Sequence, residues 1–336
     1  MRAWEIVSDG GVAALALNER TVPEPGPGQV RIRIRASSVN YRDLSTIEDP
    51  VSRKLPYPTI PNSDGAGEVD AVGSGVTEFS VGDRVMGCFF QEWEAGPIST
   101  HAMASALGGT RPGVLAEYVV LDATGVIAMP GHLSFAEAAT LPCAALTAWH
   151  ALTLPRPISP GETIVLLGTG GVSVFAQQFC ALMGARTIVT SSSDEKLERM
   201  KALGANETIN YRAEPDWEKR VIELTGGVGA DRVVEVGGPG TLQKSITAAR
   251  VGGIVGLIGI LTGVQGAIAP TDLMRKSITL RGIYVGSRQM FAGMNRAIEH
   301  HGLKPVIDET FEMEAGRDAY HRMRQASHFG KLVINV

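Results

Sequence analysis

Cysteine is scarce in this chain: Cys88, Cys143 and Cys180 are the only three among 336 residues. An odd, scattered set is no disulfide framework and suits a reducing compartment. Charge of one sign is not in excess either. Lys and Arg number 31 against 35 Asp and Glu, a formal net charge of −4. No basic field is present to attract nucleic acid or an anionic membrane. Arg31, Arg33 and Arg35 alternate with Val30, Ile32 and Ile34, which is the polar face of a half-buried strand and not a basic patch. Long apolar runs are also missing. The longest, residues 251–261, is broken by glycines, too short to cross a bilayer, and reads as a buried parallel strand. The opening residues Met1-Arg-Ala-Trp-Glu-Ile6 lack the apolar core of a secretion signal. The seven histidines show no ligand spacing. These absences predict a cytoplasmic protein with neither a membrane nor a nucleic acid as partner.

Glycine, by contrast, is plentiful, and its most informative cluster lies in Thr163-Ile-Val-Leu-Leu-Gly168-Thr169-Gly170-Gly171-Val172-Ser173. A β-branched, leucine-rich run meets the glycines, and a helical pattern follows to Met183 and stops at Gly184. Strand, tight turn and helix N-terminus form a pyrophosphate site, because glycines admit the anion to the backbone and the helix offers unpaired N–H groups. A second strand at Thr187-Ile-Val-Thr-Ser191 completes the dinucleotide-binding context. Ser173 replaces the third glycine of the usual pattern.

Residues 1–126 read as β-rich and full of turns, with residues 89–112 as a long loop. Ser134-Phe-Ala-Glu137 is a capping box opening a helical stretch that runs past Pro142 to about Leu154. From Thr163 six strands, at 163–168, 187–192, 207–211, 231–237, 253–260 and 277–286, alternate with helices. The pattern predicts an α/β fold with a doubly wound parallel sheet. A helix over 290–300 and a last strand at 331–335 return to the first domain. The expected domains are 1–126 with 287–336, and 127–286.

The blocks Gly65-Ala-Gly-Glu-Val-Asp-Ala-Val-Gly73, Val81-Gly-Asp-Arg-Val85, Leu115-Ala-Glu-Tyr-Val119, Ala138-Ala-Thr-Leu-Pro142, Gly168-Thr-Gly-Gly-Val-Ser173, Lys201-Ala-Leu-Gly-Ala205 and Gly330-Lys-Leu-Val333 stand in order along the whole chain. In them the sequence resembles the medium-chain dehydrogenase/reductase superfamily, and within it the zinc-independent alcohol dehydrogenase-like and quinone oxidoreductase-like members. The resemblance implies a GroES-like β-rich catalytic domain, a six-stranded Rossmann domain, and a small-molecule substrate in the cleft between them. It implies a homodimer through the strand at 277–286. Zinc-bearing members hold a catalytic zinc through two cysteines and a histidine, which fall here at Asn40, Ser63 and Cys143. Two poor ligands beside one thiol imply no zinc. The region of the structural zinc lobe, residues 89–113, has no cysteine.

The second strand ends in Thr190-Ser191-Ser192-Ser193 with no carboxylate at its tip. The hydroxyls of Ser191 and Ser192 can donate to a 2′-phosphate, Lys196 and Tyr211 match the pattern by which zinc-free relatives hold one, and Arg212 is a further cation. NADP(H) is favoured, and Asp194 keeps NAD(H) open. Asn40, Tyr41 and Asp43 replace the zinc-ligand loop, and with Ser63, Asp64 and Thr147 they are the candidate catalytic set. Asn40 can donate to a substrate oxygen or to the nicotinamide ribose, and the threonine at Thr147 approaches the nicotinamide in relatives. Val236 and Gly237, Ile258 and Gly259, and Val285, Gly286 and Ser287 end successive strands where a ligand crosses an open sheet. Phe329 and Lys331 resemble the family's closing loop over the cofactor, with Lys331 toward phosphate. Tyr41, Phe89, Phe90, Trp93 and Cys143 are candidate pocket walls, the aromatic trio alternatively anchoring the long loop. The expected activity is hydride transfer to a quinone, an activated alkene or a carbonyl. An alcohol dehydrogenase or aldehyde reductase, and a non-catalytic NADPH-binding protein, are the alternatives.

Overall fold

The structure is a computed structural model that describes residues 1–336. The chain forms two compact units, Met1–Leu146 with Val285–Val336, and Thr147–Tyr284. No helix is long and apolar enough to cross a membrane.

The first unit opens with β1 (Arg2–Ile6) and β2 (Leu15–Glu19), an antiparallel pair. It continues through β3 (Gln29–Val39), β4 (Asp64–Val72), β5 (Arg84–Gly87), β6 (Tyr118–Asp122) and β7 (Val126–Ala128). On β3, Val30, Ile32 and Ile34 are buried, while Arg31 pairs with Asp70 and Arg35 with Glu68 on β4. The alternating face is thus answered by carboxylates on the neighbouring strand. Residues 89–112 contain one helical turn, Thr100–Met103, whose first residues are capped by the Ser99 hydroxyl. The strand expected from residue 114 begins only at Tyr118; Ala116 makes a single bridge to Ala3.

The second unit holds β8 (Thr163–Leu167), β9 (Arg186–Ser191), β10 (Glu207–Asn210), β11 (Ala230–Glu235), β12 (Ala249–Leu257) and β13 (Thr279–Gly282). They form a six-stranded sheet in the order β10-β9-β8-β11-β12-β13, parallel throughout. The chain leaves β8 in one direction for β9 and β10, then returns to its other side for β11. The strand ends flanking that reversal are where an open α/β sheet accepts a ligand. After β13 the chain rejoins the first unit, where β14 (Ile307–Phe311) and β15 (Lys331–Asn335) complete a seven-stranded sheet in the order β14-β15-β3-β4-β5-β7, with β6 also paired to β3.

Three expectations are corrected. The first domain boundary lies at Leu146/Thr147, not 126/127, because β7 pairs with β5 and the turn Leu141–Ala145 packs on β4. The second lies at Tyr284/Val285. The stretch from Ser134 to Leu154 is not one helix but a short helix Phe135–Ala138, a wide π turn Leu141–Ala145 and a helix Leu146–Thr153. Pro142 offers no N–H to an α-helical ladder, so the chain widens there. The strand expected over 277–286 spans only Thr279–Gly282, since Ser277 and Val285 take left-handed backbone at φ 50° and 52°.

Candidate active site

In the second unit, Gly168 turns the chain at φ +74° and donates its N–H to Thr190 O at 2.8 Å. The helix Gly171–Leu182 then starts with Gly170 at its N-cap. A Cβ built on Gly168 or on Gly170 meets nothing within 4 Å. These glycines therefore face open space, as a backbone cradle for an anion requires. Thr169, Gly171 and Val172 complete the turn and the first helical residues. Ser173 is buried, and its hydroxyl donates to Leu167 O at 2.6 Å. A serine fits the third glycine's place by tying the helix to the last residue of β8.

At the end of β9, Ser191 is buried and Ser192 half-buried. The Ser193 hydroxyl caps the helix Asp194–Ala202 by accepting from the Lys196 N–H at 3.4 Å. Asp194 accepts from Asn210 Nδ2 at 2.7 Å, and Tyr211 N–H donates to Ser191 O at 3.0 Å. Tyr211 is thereby pinned beside the serines with its side chain 42% exposed. The residues around both strand ends fit a dinucleotide: open glycines for its pyrophosphate, and hydroxyls, a lysine and a tyrosine around its ribose.

At the end of β11 stands a residue that sequence reading missed. Glu235 is fully buried and accepts from Gly237 N–H at 2.7 Å, Gly238 N–H at 2.9 Å and the Thr241 hydroxyl at 2.7 Å. Its other oxygen accepts from the Ser245 hydroxyl. It shapes the turn Val236–Gly238, in which Gly238 sits at φ +89°. The available signal was a carboxylate closing an otherwise apolar strand. Gly259 is explained by the chain itself, since a Cβ there would lie 1.9 Å from Val236 O. Gly286 likewise backs onto the Leu146 side chain, and Ser287 caps the helix Arg288–His301. The expected nicotinamide contacts at these positions thus have internal packing reasons as well. Thr147, in the first turn of Leu146–Thr153, is 3% exposed.

In the first unit, Asn40 follows β3 and stands at the N-cap of the helix Tyr41–Glu48. Asp43, 1% exposed, accepts from the Asn40 N–H at 2.9 Å and pairs with Arg42 at 3.1 Å. Arg42 also donates to Leu107 O and Gly108 O and lies over the Phe89 ring. Tyr41 stands outside this network, 45% exposed. Asp64 is fully buried and accepts from the Ser63 hydroxyl at 2.7 Å, the Ser38 hydroxyl at 3.4 Å and the Cys143 N–H at 3.2 Å. Burial pushes its carboxyl up; Lys331 opposes that, Asp43 adds to it, and Ser63 and Asn40 oppose it. Burial also pushes the Cys143 thiol up, and the Asp64 charge adds to the effect.

Two expected roles change. Lys331 was expected to reach cofactor phosphate, but it is 2% exposed and donates to Val39 O at 2.9 Å and Asn40 Oδ1 at 2.5 Å. Phe329 beside it is also buried. Phe89, Phe90 and Trp93 are buried and stack edge to face at 4.7 Å and 5.8 Å between ring centres. Trp93 Nε1 bonds Gly96 O at 3.0 Å. The trio anchors the long loop instead of lining an open wall. A second buried chain, Tyr320 hydroxyl to Asn62 Oδ1 at 2.5 Å and Asn62 Nδ2 to Ser37 Oγ at 3.0 Å, supports β3 beneath Asp64.

The residues at the zinc-ligand positions do not fit a zinc ion. The Asn40 carbonyl oxygen is already held by an ammonium and Ser63 bonds Asp64, which leaves Cys143 as a single thiol without a second strong ligand beside it. Nowhere does the chain bring together three His, Cys, Asp or Glu side chains able to hold a metal.

Residues 26–131 match the alcohol dehydrogenase GroES-like domain family, and residues 171–300 match the zinc-binding dehydrogenase family. A zinc-type alcohol dehydrogenase-like protein of Schizosaccharomyces pombe is 41% identical over 338 residues, covering 97% of this chain and 96% of its own. The quinone oxidoreductase of Rattus norvegicus is 28% identical, covering 99% of this chain and 97% of its own. The crystal structure of an NAD-dependent alcohol dehydrogenase superposes with a TM-score of 0.91 at 36% identity, covering 100% of both chains.

Proposed function

The chain belongs to the medium-chain dehydrogenase/reductase superfamily and is an NAD(P)-dependent oxidoreductase, and from that premise we propose that it reduces quinones, enones or carbonyl compounds with NADPH and without zinc. The observation that carries this reading is the donor set around residue 40, where an amide takes a metal-ligand position, a phenol follows it in the chain and a buried ammonium holds its oxygen.

The cofactor, when bound, supplies the hydride. The chain's residues do the rest. The open turn at Gly168 and Gly170 and the helix N-terminus hold the pyrophosphate. Ser191, Ser192, Lys196 and Tyr211 hold the 2′-phosphate. Asp194, which would otherwise receive a ribose hydroxyl, is engaged by Asn210, and this favours NADP(H) over NAD(H). Asn40 bonds the acceptor oxygen, and the exposed Tyr41 hydroxyl delivers the proton. An alcohol surrenders its proton poorly without a Lewis acid, which favours conjugated acceptors. The likeness to alcohol dehydrogenases supports aldehyde reduction as the second reading.

The test is NADPH oxidation by chelator-treated protein with quinones, enones and aldehydes in parallel, for wild type and Tyr41→Phe. Turnover of quinones or enones is expected, with kcat lowered about 100-fold in the variant. Activity with aldehydes alone, restored by zinc, would overturn the reading. Unchanged turnover at saturating acceptor would remove Tyr41 from the mechanism. NADPH binding with no turnover of any acceptor would leave the protein a cofactor-binding protein.

We also propose a homodimer in which β13 pairs with its counterpart. It lies at the sheet edge, and Ile260, Leu261, Val264, Met274 and Tyr284 of the same unit are 46–76% exposed. An uncovered strand edge and apolar side chains of this kind suit burial against a second copy. Sedimentation at micromolar concentration is expected to give twice the 35.6 kDa chain mass; the single-chain mass would overturn the dimer.

A further inference from the structure

Four charged side chains are clustered at the end of β3: Asp43, Asp64 and Lys331, each at most 2% exposed, and Arg42, whose side chain is 20% exposed. Buried charges persist only when they are paired and hydrogen-bonded, and this cluster meets that condition in a particular way. Arg42 takes Asp43 at 3.1 Å, and the Lys331 ammonium donates to Val39 O at 2.9 Å and Asn40 Oδ1 at 2.5 Å. An ammonium has three donors and no acceptor, so the carboxamide atom facing it is the oxygen. The Asn40 Nδ2 is therefore the end left over. It is buried and completes no hydrogen bond of full geometry, and it lies close enough to Asp64 to oppose the upward push that burial gives that carboxyl.

We propose that Lys331 is a positioning residue for reduction. It locks the Asn40 carboxamide so that Nδ2 donates to the acceptor oxygen, and its charge supports that oxygen as it becomes anionic. The inference rests on the functional reading above and deepens it by naming acceptors whose oxygen gains charge: enones, quinones and aldehydes. In the step, the electrophilic carbon gains the hydride that bound NADPH would supply, leaving NADP⁺. The π electron pair moves onto the oxygen, where Nδ2–H bonds it, and a proton from Tyr41 or water completes the reduced product. The ammonium provides, without a metal, a fixed positive charge beside the reacting oxygen.

The experiment compares wild type, Lys331→Met and Asn40→Asp with cyclohexenone and a naphthoquinone, using NADPH and its deuterated form. Asn40→Asp keeps the acceptor for Lys331 and removes the donor, so it serves even where Lys331→Met fails to fold. In both variants kcat is expected to fall about 100-fold. NADPH Kd is expected to stay within about twofold, and the isotope effect on kcat to rise as hydride transfer becomes limiting. Wild-type kcat in either variant overturns the proposal. So does weaker NADPH binding with kcat recovered at saturation, which would make Lys331 a cofactor contact.

A second arm is independent of turnover. With Asn40→Cys and Ser63→His combined, Co²⁺ is expected to give no thiolate–cobalt absorption while Lys331 is present, and a band once Lys331→Met is added. A band with Lys331 in place overturns its role as the charge that replaces a metal. Wild-type protein that reduces no acceptor removes the functional reading and the catalytic half of this proposal; the cobalt result then decides the other half.

Discussion

Gly170→Val is expected to weaken NADPH binding about 100-fold, or about 2.7 kcal/mol, with Tm unchanged within about 2 °C. The expectation comes from an unusual combination at this position. Its backbone, φ −80° and ψ −177°, is extended and open to any residue. A Cβ there meets nothing within 4 Å. A side chain's Cβ therefore meets no internal obstacle, and the protein is expected to fold as before. Its methyl groups would stand in front of the helix N-terminus, where a pyrophosphate needs close approach to the N–H groups. Gly168 is a poorer choice, because its φ of +74° would strain any side chain and mix a folding defect with a binding one. Calorimetric titration of wild type and variant checks the prediction. An unchanged Kd would mean that the open turn does not hold the pyrophosphate.

Glu235→Ala is expected to cost about 3–5 kcal/mol of stability and to lower Tm by roughly 10 °C. The carboxylate serves four donors, of which the Thr241 and Ser245 hydroxyls can turn to other partners. The N–H groups of Gly237 and Gly238 cannot, since the turn's backbone fixes them. Each would be left buried without an acceptor at a cost of about 1–3 kcal/mol. Glu235→Gln keeps the oxygen that serves both amides, so its cost is expected near 1 kcal/mol. Urea unfolding of the three proteins separates these cases. A loss below about 1 kcal/mol in the alanine variant would show that the turn finds other partners. NADPH affinity is expected to fall with the alanine variant too, because the deformed turn ends a strand beside the sheet's reversal point.

The sequence carried the second unit's plan in plain form. Strands of β-branched residues alternate with helices, and each of the six predicted strands exists. Their ends were less legible. Strand β12 starts at Ala249, ahead of the expected 253, and β13 stops at Gly282 because the backbone at Val285 turns left-handed. Single residues with an obvious chemical signature were readable: Gly168 at the turn after β8, and Ser134 with Glu137 as a capping box. Lys331 was not, because a lysine after a glycine near a cofactor motif looks like a phosphate contact. Only the pairing of β15 with β3 shows that it points inward. Glu235 was hidden for the opposite reason, as a lone charge that pattern reading passes over in an apolar strand. The three aromatics after Gly87 left a pocket wall and a loop anchor both open, and their edge-to-face packing favours the anchor.

Lys331 and Asn40 meet across a sequence separation of 291 residues. The strand that carries Lys331 lies inside its sheet, between β14 and β3, while residues Thr147–Tyr284 form a unit of their own in between. During synthesis the nucleotide-binding unit is therefore complete while the sheet that holds Asn40 still lacks an interior strand. The sheet cannot close until residues far along the chain have returned to it, which raises contact order and favours slow closure. The Lys331–Asn40 contact therefore forms after residues Thr147–Tyr284 have been made, so the parallel sheet is available to fold before the sheet that carries this contact is closed.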